Sequence, residues 1–393
     1  MSIALILVTI LATALFGGWM FDWIIFLIAL VYGKWHLYSK PDSPSPEDIQ
    51  GVSIIKPLMG VDPNLKHNLE TFFQLEYPNY ELLFSVQDEN DPAILVVKSL
   101  IDTYPKADVK LFIGLKHVGP NGKINNMVRA YEAAKHNLLL ISDSGIKMTK
   151  DSLLDMVSCL KKDVGVVLQM PYVCHRKGFA SVYEQVYFGT MQARNCLSAN
   201  AIGINCSTGM SMLFRKDLID EAGGLKEFGK YLAEDYFIAE AIRNQGYKSV
   251  LCTQPALQNS GTYNITDFHK RMLRWASLRA SMIPTFILLE PLSECMIMGV
   301  VGSWAAQFLF DISPMAFFLM HVLCWFLLDY VMFCMVQNGP LPFSKFEYVV
   351  AWLLRELSSP YILFLRHTGS YIIWRNRKYK VHWGGYTEEI PVT

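Results

Sequence analysis

From Ser2 to Val31 the chain is apolar apart from Asp22, a run longer than the roughly 20 residues that cross a bilayer. No basic residue precedes it, and it exceeds the apolar core of a signal peptide, so it predicts a retained transmembrane helix. The alternative, cleavage near Ala14, leaves the apolar stretch Trp23–Val31 unexplained. After residue 50 the pattern changes. Apolar blocks at Val52–Ile55, Glu81–Val86, Val109–Ile113 and Leu138–Ile141 alternate with helical stretches at Asn64–Leu75, Ala93–Tyr104 and Ile124–Ala134. Strand and helix alternating at these lengths predict an α/β fold built on a parallel sheet.

Beyond about residue 280 the chain is greasy again. Cys295–Phe310 and Ile312–Leu328 are divided by Asp311, Ser313 and Pro314, which predicts a helical hairpin, either spanning or re-entrant. Both return the chain to its starting side. Tyr348–Leu365 is interrupted by Arg355-Glu356 and ended by Arg366-His367, which predicts an interfacial or re-entrant helix. The divisions are therefore an anchor at 1–33, a Pro/Ser linker within 34–50, a globular domain at 51–280, the hairpin at 281–335, and an interfacial helix with a basic tail at 336–393. No internal repeat is visible.

Charge orients this arrangement. Lys34, His36 and Lys40 follow the first helix, and Arg375, Arg377, Lys378 and Lys380 lie in the tail, so the positive-inside bias places the globular domain in the cytosol. Lysine plus arginine balance aspartate plus glutamate at 35 each, which gives no overall attraction to nucleic acid. The 8 cysteines include no CxxC pair, against a zinc site or a disulfide framework.

In open α/β sheets ligands bind beyond the carboxyl ends of the strands, and here those positions are acidic. Gln87-Asp88-Glu89-Asn90-Asp91-Pro92 follows one predicted strand and reads either as a ligand-edge cluster or as a turn capped by Asp91. Ser142-Asp143-Ser144-Gly145 follows another, and the Asp143 carboxylate can hold an oxygen-seeking cation, Mg²⁺ or Mn²⁺, against a diphosphate. Between them, Gly119-Pro120-Asn121-Gly122-Lys123 opens a helix; its amides and Lys123 can supply positive charge, or it is an ordinary loop. Ala233-Glu234-Asp235-Tyr236 begins a later helix, where Asp235 is either a general base or an acid stabilised by the helix dipole. Arg271 and Arg274 fall on one side of a helix beside Trp275, suited to phosphate, or to a basic face lying on anionic lipid.

This order of motifs resembles the inverting, family-2-like glycosyltransferases with a GT-A fold. The segments Gly51–Leu58, Gly60–Leu65, Asn68–Phe73, Gln87–Pro92, Glu184–Thr190 and Ala233–Phe237 are similar to those of the ceramide glucosyltransferases, a resemblance that runs from about residue 50 to the C-terminus. It implies a GT-A (Rossmann-like) catalytic domain facing the cytosol from a multi-pass Golgi membrane protein, UDP-glucose as donor and ceramide as acceptor. It also implies Asp235 as general base and Asp88, Asp91, Lys123, Asp143, Arg271, Arg274 and Trp275 at the donor diphosphate, with Mg²⁺ or Mn²⁺ at Asp143. Cys206 matches a cysteine that the family places near the donor site; a buried inert thiol is the other reading. Two departures stand out: Asp-Ser-Gly at 143–145 replaces the Asp-x-Asp of many metal-using relatives, and Gln192 stands where family members carry histidine. A homo-oligomer stays open. The rival readings are a processive polysaccharide synthase, which usually has more spans, and a non-catalytic membrane scaffold, which would lose the acids.

Overall fold

The computed structural model describes residues 2–39, 49–174, 176–261, 264–367, 369, 371–375 and 377–391; the Pro/Ser linker expected at 41–46 lies outside them. The helices are α1 Ile3–His36, α2 Leu65–Phe73, α3 Ala93–Thr103, α4 Gly122–Glu132, α5 Ser152–Ser158, α6 Phe179–Tyr187, α7 Ala193–Ala201, α8 Lys216–Glu221, α9 Glu234–Asn244, α10 Ile265–Met282, α11 Phe286–Leu292, α12 Cys295–Phe310, α13 Pro314–Gln337 and α14 Lys345–Leu365. The chain forms two units, one of residues 1–34, 177–198 and 263–376 and one of residues 35–176, 199–262 and 377–393. Two stretches that the sequence assigns to the globular domain, 177–198 and 263–280, thus group with the apolar helices.

The second unit is the α/β domain. Its main sheet uses β1 Val52–Leu58, β2 Tyr80–Val86, β3 Val109–Ile113, β4 Leu138–Ser142, β6 Val164–Leu168, β8 Ser211–Arg215 and β9 Lys248–Leu251, in the order β3-β2-β1-β4-β8-β6-β9. β5 Ile146–Lys147, β7 Pro171–Val173 and β10 Ala256–Gln258 form a small second sheet. All seven residues of β1 and all five of β4 are buried, the near-continuous apolar pattern of strands covered on both faces. The sheet is not wholly parallel as expected. β1, β2, β3 and β4 pair in parallel, but β8 runs antiparallel to both β4 and β6. Side-chain alternation is identical for the two strand directions, so this reversal leaves no mark in the hydrophobic pattern. Its consequence is that β8 begins beside the end of β4: Ser211 pairs with Ser142, and the Asp143 amide donates to the Met210 carbonyl at 2.9 Å.

The first unit is apolar. α1, α13 and α14 are each long and apolar enough to cross a membrane, while α12, with 16 residues, is shorter. The hairpin turn expected between α12 and α13 is present. Asp311, at φ 56°, closes α12 in the left-handed conformation, and Pro314 opens α13 with a pre-set φ. α14 starts on a reciprocal cap, Ser344 with Glu347. Arg355 and Glu356 were the reason to expect α14 at an interface, yet both are buried and pair with each other. Arg355 Nη2 also meets Asp329 Oδ2 at 2.8 Å and its Nη1 reaches Thr190; Arg194 meets the other Asp329 oxygen at 3.2 Å, and the Trp352 indole donates to Asp329 at 2.9 Å. Charges inside an apolar bundle persist when paired in this way, so these residues do not by themselves hold α14 at the surface.

Candidate active site

The site is built where β4 and β8 come together. Asn121 caps α4, its side-chain oxygen accepting from the Lys123 and Ile124 amides. This fixes the first turn of the helix and aims Lys123 across the strand ends. The ammonium lies 2.8 Å from Asp143 Oδ1 and 3.0 Å from Glu234 Oε1, and it donates to the Gly209 carbonyl at 2.9 Å. Burial pulls the Lys123 pKa down, but the Asp143 and Glu234 carboxylates more than reverse that, and it ends above its ordinary value. The lysine is therefore a fixed positive charge between two acids.

Glu234 has a second support. Its Oε2 accepts from the Asn121 side-chain amide at 2.9 Å, while that amide also donates to the Tyr231 carbonyl at 2.7 Å. One asparagine thus locks both the start of α4 and the start of α9. Asp235, the next residue along α9, packs on Gly209, where a Cβ would stand 3.2 Å from the Asp235 carboxyl carbon. Gly209 has φ +66°, a conformation that suits glycine. Burial, then the Glu234 charge, push Asp235 up from 3.8 to about 7, with Lys123 opposing. An acid that keeps its proton up to neutral pH and then releases it has the character of a general base.

Two groups in this arrangement escaped the sequence reading. Lys56 is fully buried on β1, and its ammonium donates to the Asp143 carbonyl at 2.7 Å and to Ser142 Oγ at 3.2 Å, over the Phe72 ring at 3.7 Å. Burial drives its pKa well below the ordinary lysine value, with Asp143 acting against the shift. It braces the backbone on which Asp143 stands. A lone charge inside the fully covered strand Val52–Leu58 was the available signal. Asn121 was the other, as the residue before a helix start.

The remaining predicted residues are placed as follows. Asp91 Oδ2 accepts from the Gly60 amide at 2.7 Å and Oδ1 from the Ala93 amide at 2.8 Å. This is the capping role, and it ties the turn after β1 to the start of α3. Asp88 accepts from the Asn90 amide in the same exposed turn. Cys206 is half-buried in the loop before β8. Arg271, Arg274 and Trp275 lie on α10 in the other unit, where Arg271 stacks on Trp275 with its guanidinium carbon 4.6 Å from the ring centre and Arg274 lies 5.8 Å from that of Trp374.

For a divalent cation the donor set is modest. Among the described residues no three His, Cys, Asp or Glu side chains cluster as a metal site. Asp143 still fits an oxygen-seeking ion: one carboxylate oxygen is held by Lys123, and the side chain is 41% exposed. Magnesium typically uses one or two carboxylates and takes its other ligands from substrate phosphates and water.

Residues 21–387 match the family described as Glycosyl transferase family 21. The protein named Ceramide glucosyltransferase 3 in Caenorhabditis elegans is 42% identical over 365 residues, which cover 92% of this chain and 79% of that one. Ceramide glucosyltransferase of Komagataella phaffii is 27% identical, covering 94% and 90% of the two chains. Among solved structures, mannosyltransferase PcManGT from Pyrobaculum calidifontis, in complex with GDP-Man and Mn²⁺, superposes with a TM-score of 0.53 at 15% identity, over 89% of this chain and 98% of that chain. At that identity the likeness speaks for the fold.

Proposed function

This chain belongs to glycosyl transferase family 21, and from that membership we propose that it transfers glucose from UDP-glucose to the primary hydroxyl of ceramide with inversion, giving a β-glucoside. The observation that carries the reading is Asp235, an acid raised to about 7 and set beside a lysine that bridges Asp143 and Glu234. The extensive similarity to proteins named ceramide glucosyltransferase supports the choice of sugar and acceptor.

Asp235 takes the proton of the acceptor hydroxyl as its oxygen attacks the anomeric carbon, opposite the departing UDP. Burial and the Glu234 charge keep the Asp235 pKa high enough for that task, and Lys123 pairs with both Glu234 and Asp143 beside it. Asp143 would hold Mg²⁺ or Mn²⁺, which when bound offsets charge on the leaving diphosphate. Arg271 and Arg274 add guanidinium groups suited to phosphate, with Trp275 stacked on the first. Asp88 and Asp91 order the ligand-edge turn after β2, and Cys206 neighbours the donor. The apolar helices anchor the protein in a Golgi membrane with its α/β unit in the cytosol.

The direct test supplies labelled UDP-glucose and ceramide to membranes containing the protein and identifies the extracted lipid. Labelled β-glucosylceramide supports the proposal; label confined to insoluble polymer favours a polysaccharide synthase.

Three further outcomes are expected. Transfer at saturating substrates rises tenfold per pH unit below about 7 and levels above it, because only the ionised Asp235 accepts a proton; a flat profile from pH 5 to 8 contradicts this. The same raised pKa makes Asp235's own contribution to stability fall as pH climbs from 3.8 towards 7, since the folded state holds the proton that the unfolded state releases. A chelator is expected to lower transfer, with Mg²⁺ or Mn²⁺ restoring it. Undiminished activity after metal stripping would leave Lys123 and the guanidinium groups as the diphosphate's positive partners.

A further inference from the structure

The apolar unit contains a cavity of about 400 Å³, counted out to its open mouth, between α6, α10, α14 and the start of α12. Tyr183, Tyr187, Met272, Ala276, Ser358 and Ser359 line it together with Glu294. About 30 Å³ of this can take the centre of a water molecule, room for about two waters and hence for one or two small polar groups, not a whole lipid.

The charged groups around it are not equally partnered. Arg279 and Arg366 are both bonded to Glu290. Arg355 and Arg194 share Asp329, and Arg355 also takes Glu356. Glu294 differs from these pairs: only 3% exposed, it faces the cavity with Ser359 beside it, and its Oε1 meets no hydrogen-bond partner among the described residues. A buried acceptor without a donor is costly, by about 1 to 3 kcal/mol or more for a charged group, and a ligand that supplies an N–H or O–H removes that cost. Glu294 immediately precedes α12 and Ser358–Ser359 lie in the last turns of α14.

We propose that Glu294 and its cavity hold the neutral, hydrogen-donating polar end of the acceptor lipid, its amide N–H or secondary hydroxyl. The two arginines that also line the cavity, Arg279 and Arg355, are already paired with Glu290 and Asp329, so Glu294 calls for a donor and not for an anionic headgroup. This rests on ceramide being the acceptor, so the test separates the two ideas. With full-length protein in lipid nanodiscs, Glu294→Ala raises KM for ceramide about tenfold and leaves KM for UDP-glucose unchanged. Wild type discriminates about tenfold against ceramide methylated at the amide nitrogen or at the secondary hydroxyl, and the variant loses that discrimination for one of the two. Glu294→Gln, which keeps an acceptor oxygen, recovers most of the loss and serves as the folded control. Independently of turnover, a photoactivatable ceramide labels peptides of α6 or α14 in wild type and less in Glu294→Ala. An unchanged ceramide KM, or equal discrimination in both proteins, overturns the subsite. Labelling that depends on Glu294 without any glucose transfer would retain the subsite and overturn the proposed reaction.

Discussion

Asp235→Asn is expected to lower glucose transfer by roughly 100- to 10,000-fold, the span usual for removing a general base. The substitution keeps the shape of the side chain and its packing on Gly209, and it removes a carboxylate that Glu234 disfavours. The folded state should therefore be undisturbed or slightly firmer. Measured at saturating UDP-glucose and ceramide, the loss belongs in kcat, and the rise in rate through about pH 7 should disappear with it. A variant that retains a tenth of wild-type kcat would show that another group takes the proton. Retained activity with the pH limb moved would point to Glu234, which has a neighbouring position and the same chemistry.

The second large effect is expected at Lys123. Lys123→Met keeps the length of the side chain and deletes the ammonium, so Asp143 and Glu234 lose the charge that both share. Removing one member of a buried ion pair costs about 3 to 5 kcal/mol; partial exposure of Asp143 places this one at the lower end. Two consequences separate it from a simple loss of fold. With Asp143 and Glu234 uncompensated, the Asp235 pKa climbs further above 7, so any residual activity shifts to higher pH. Added divalent cation at Asp143 recovers part of the thermal stability in the variant and little in wild type. If melting temperature and pH profile both match wild type, the lysine is a bystander.

The sequence made the ligand edge legible for a physical reason. β2 and β4 are apolar runs that end abruptly in acids, and the ends of parallel strands are where such folds bind ligands. The same logic located Asp143 and flagged the dual reading of Asp91, whose carboxylate accepts from backbone amides, while helix starts pointed to Lys123 and Asp235; the fold gathers Asp143, Lys123 and Asp235 around Gly209. What stayed hidden was set by distance along the chain. Asn121 reaches Glu234 across 113 residues and Lys56 reaches Asp143 across 87. Neither the reversed direction of β8 nor these couplings leave a periodic trace. The partners of Arg355 were hidden for the same reason. A charge in an apolar run reads as an interruption until Asp329, 26 residues earlier, and Thr190, 165 residues earlier, are seen to receive it.

The way the chain is shared between its two units bears on how the protein is made. Residues 177–198 belong with the apolar helices, yet they leave the ribosome well before α12, α13 and α14 exist to cover them. Tyr187, Phe188 and Cys196, buried in the finished protein, must pass through synthesis without those neighbours. The α/β sheet cannot close early either, because β8 and β9 follow this segment in the chain and β8 joins β4 to β6. The apolar unit can therefore be completed only after the last helix, Lys345–Leu365, has been made. A fragment cut near residue 280 would keep every acid of the site while presenting a greasy, uncovered face, and chaperones or aggregation would claim it.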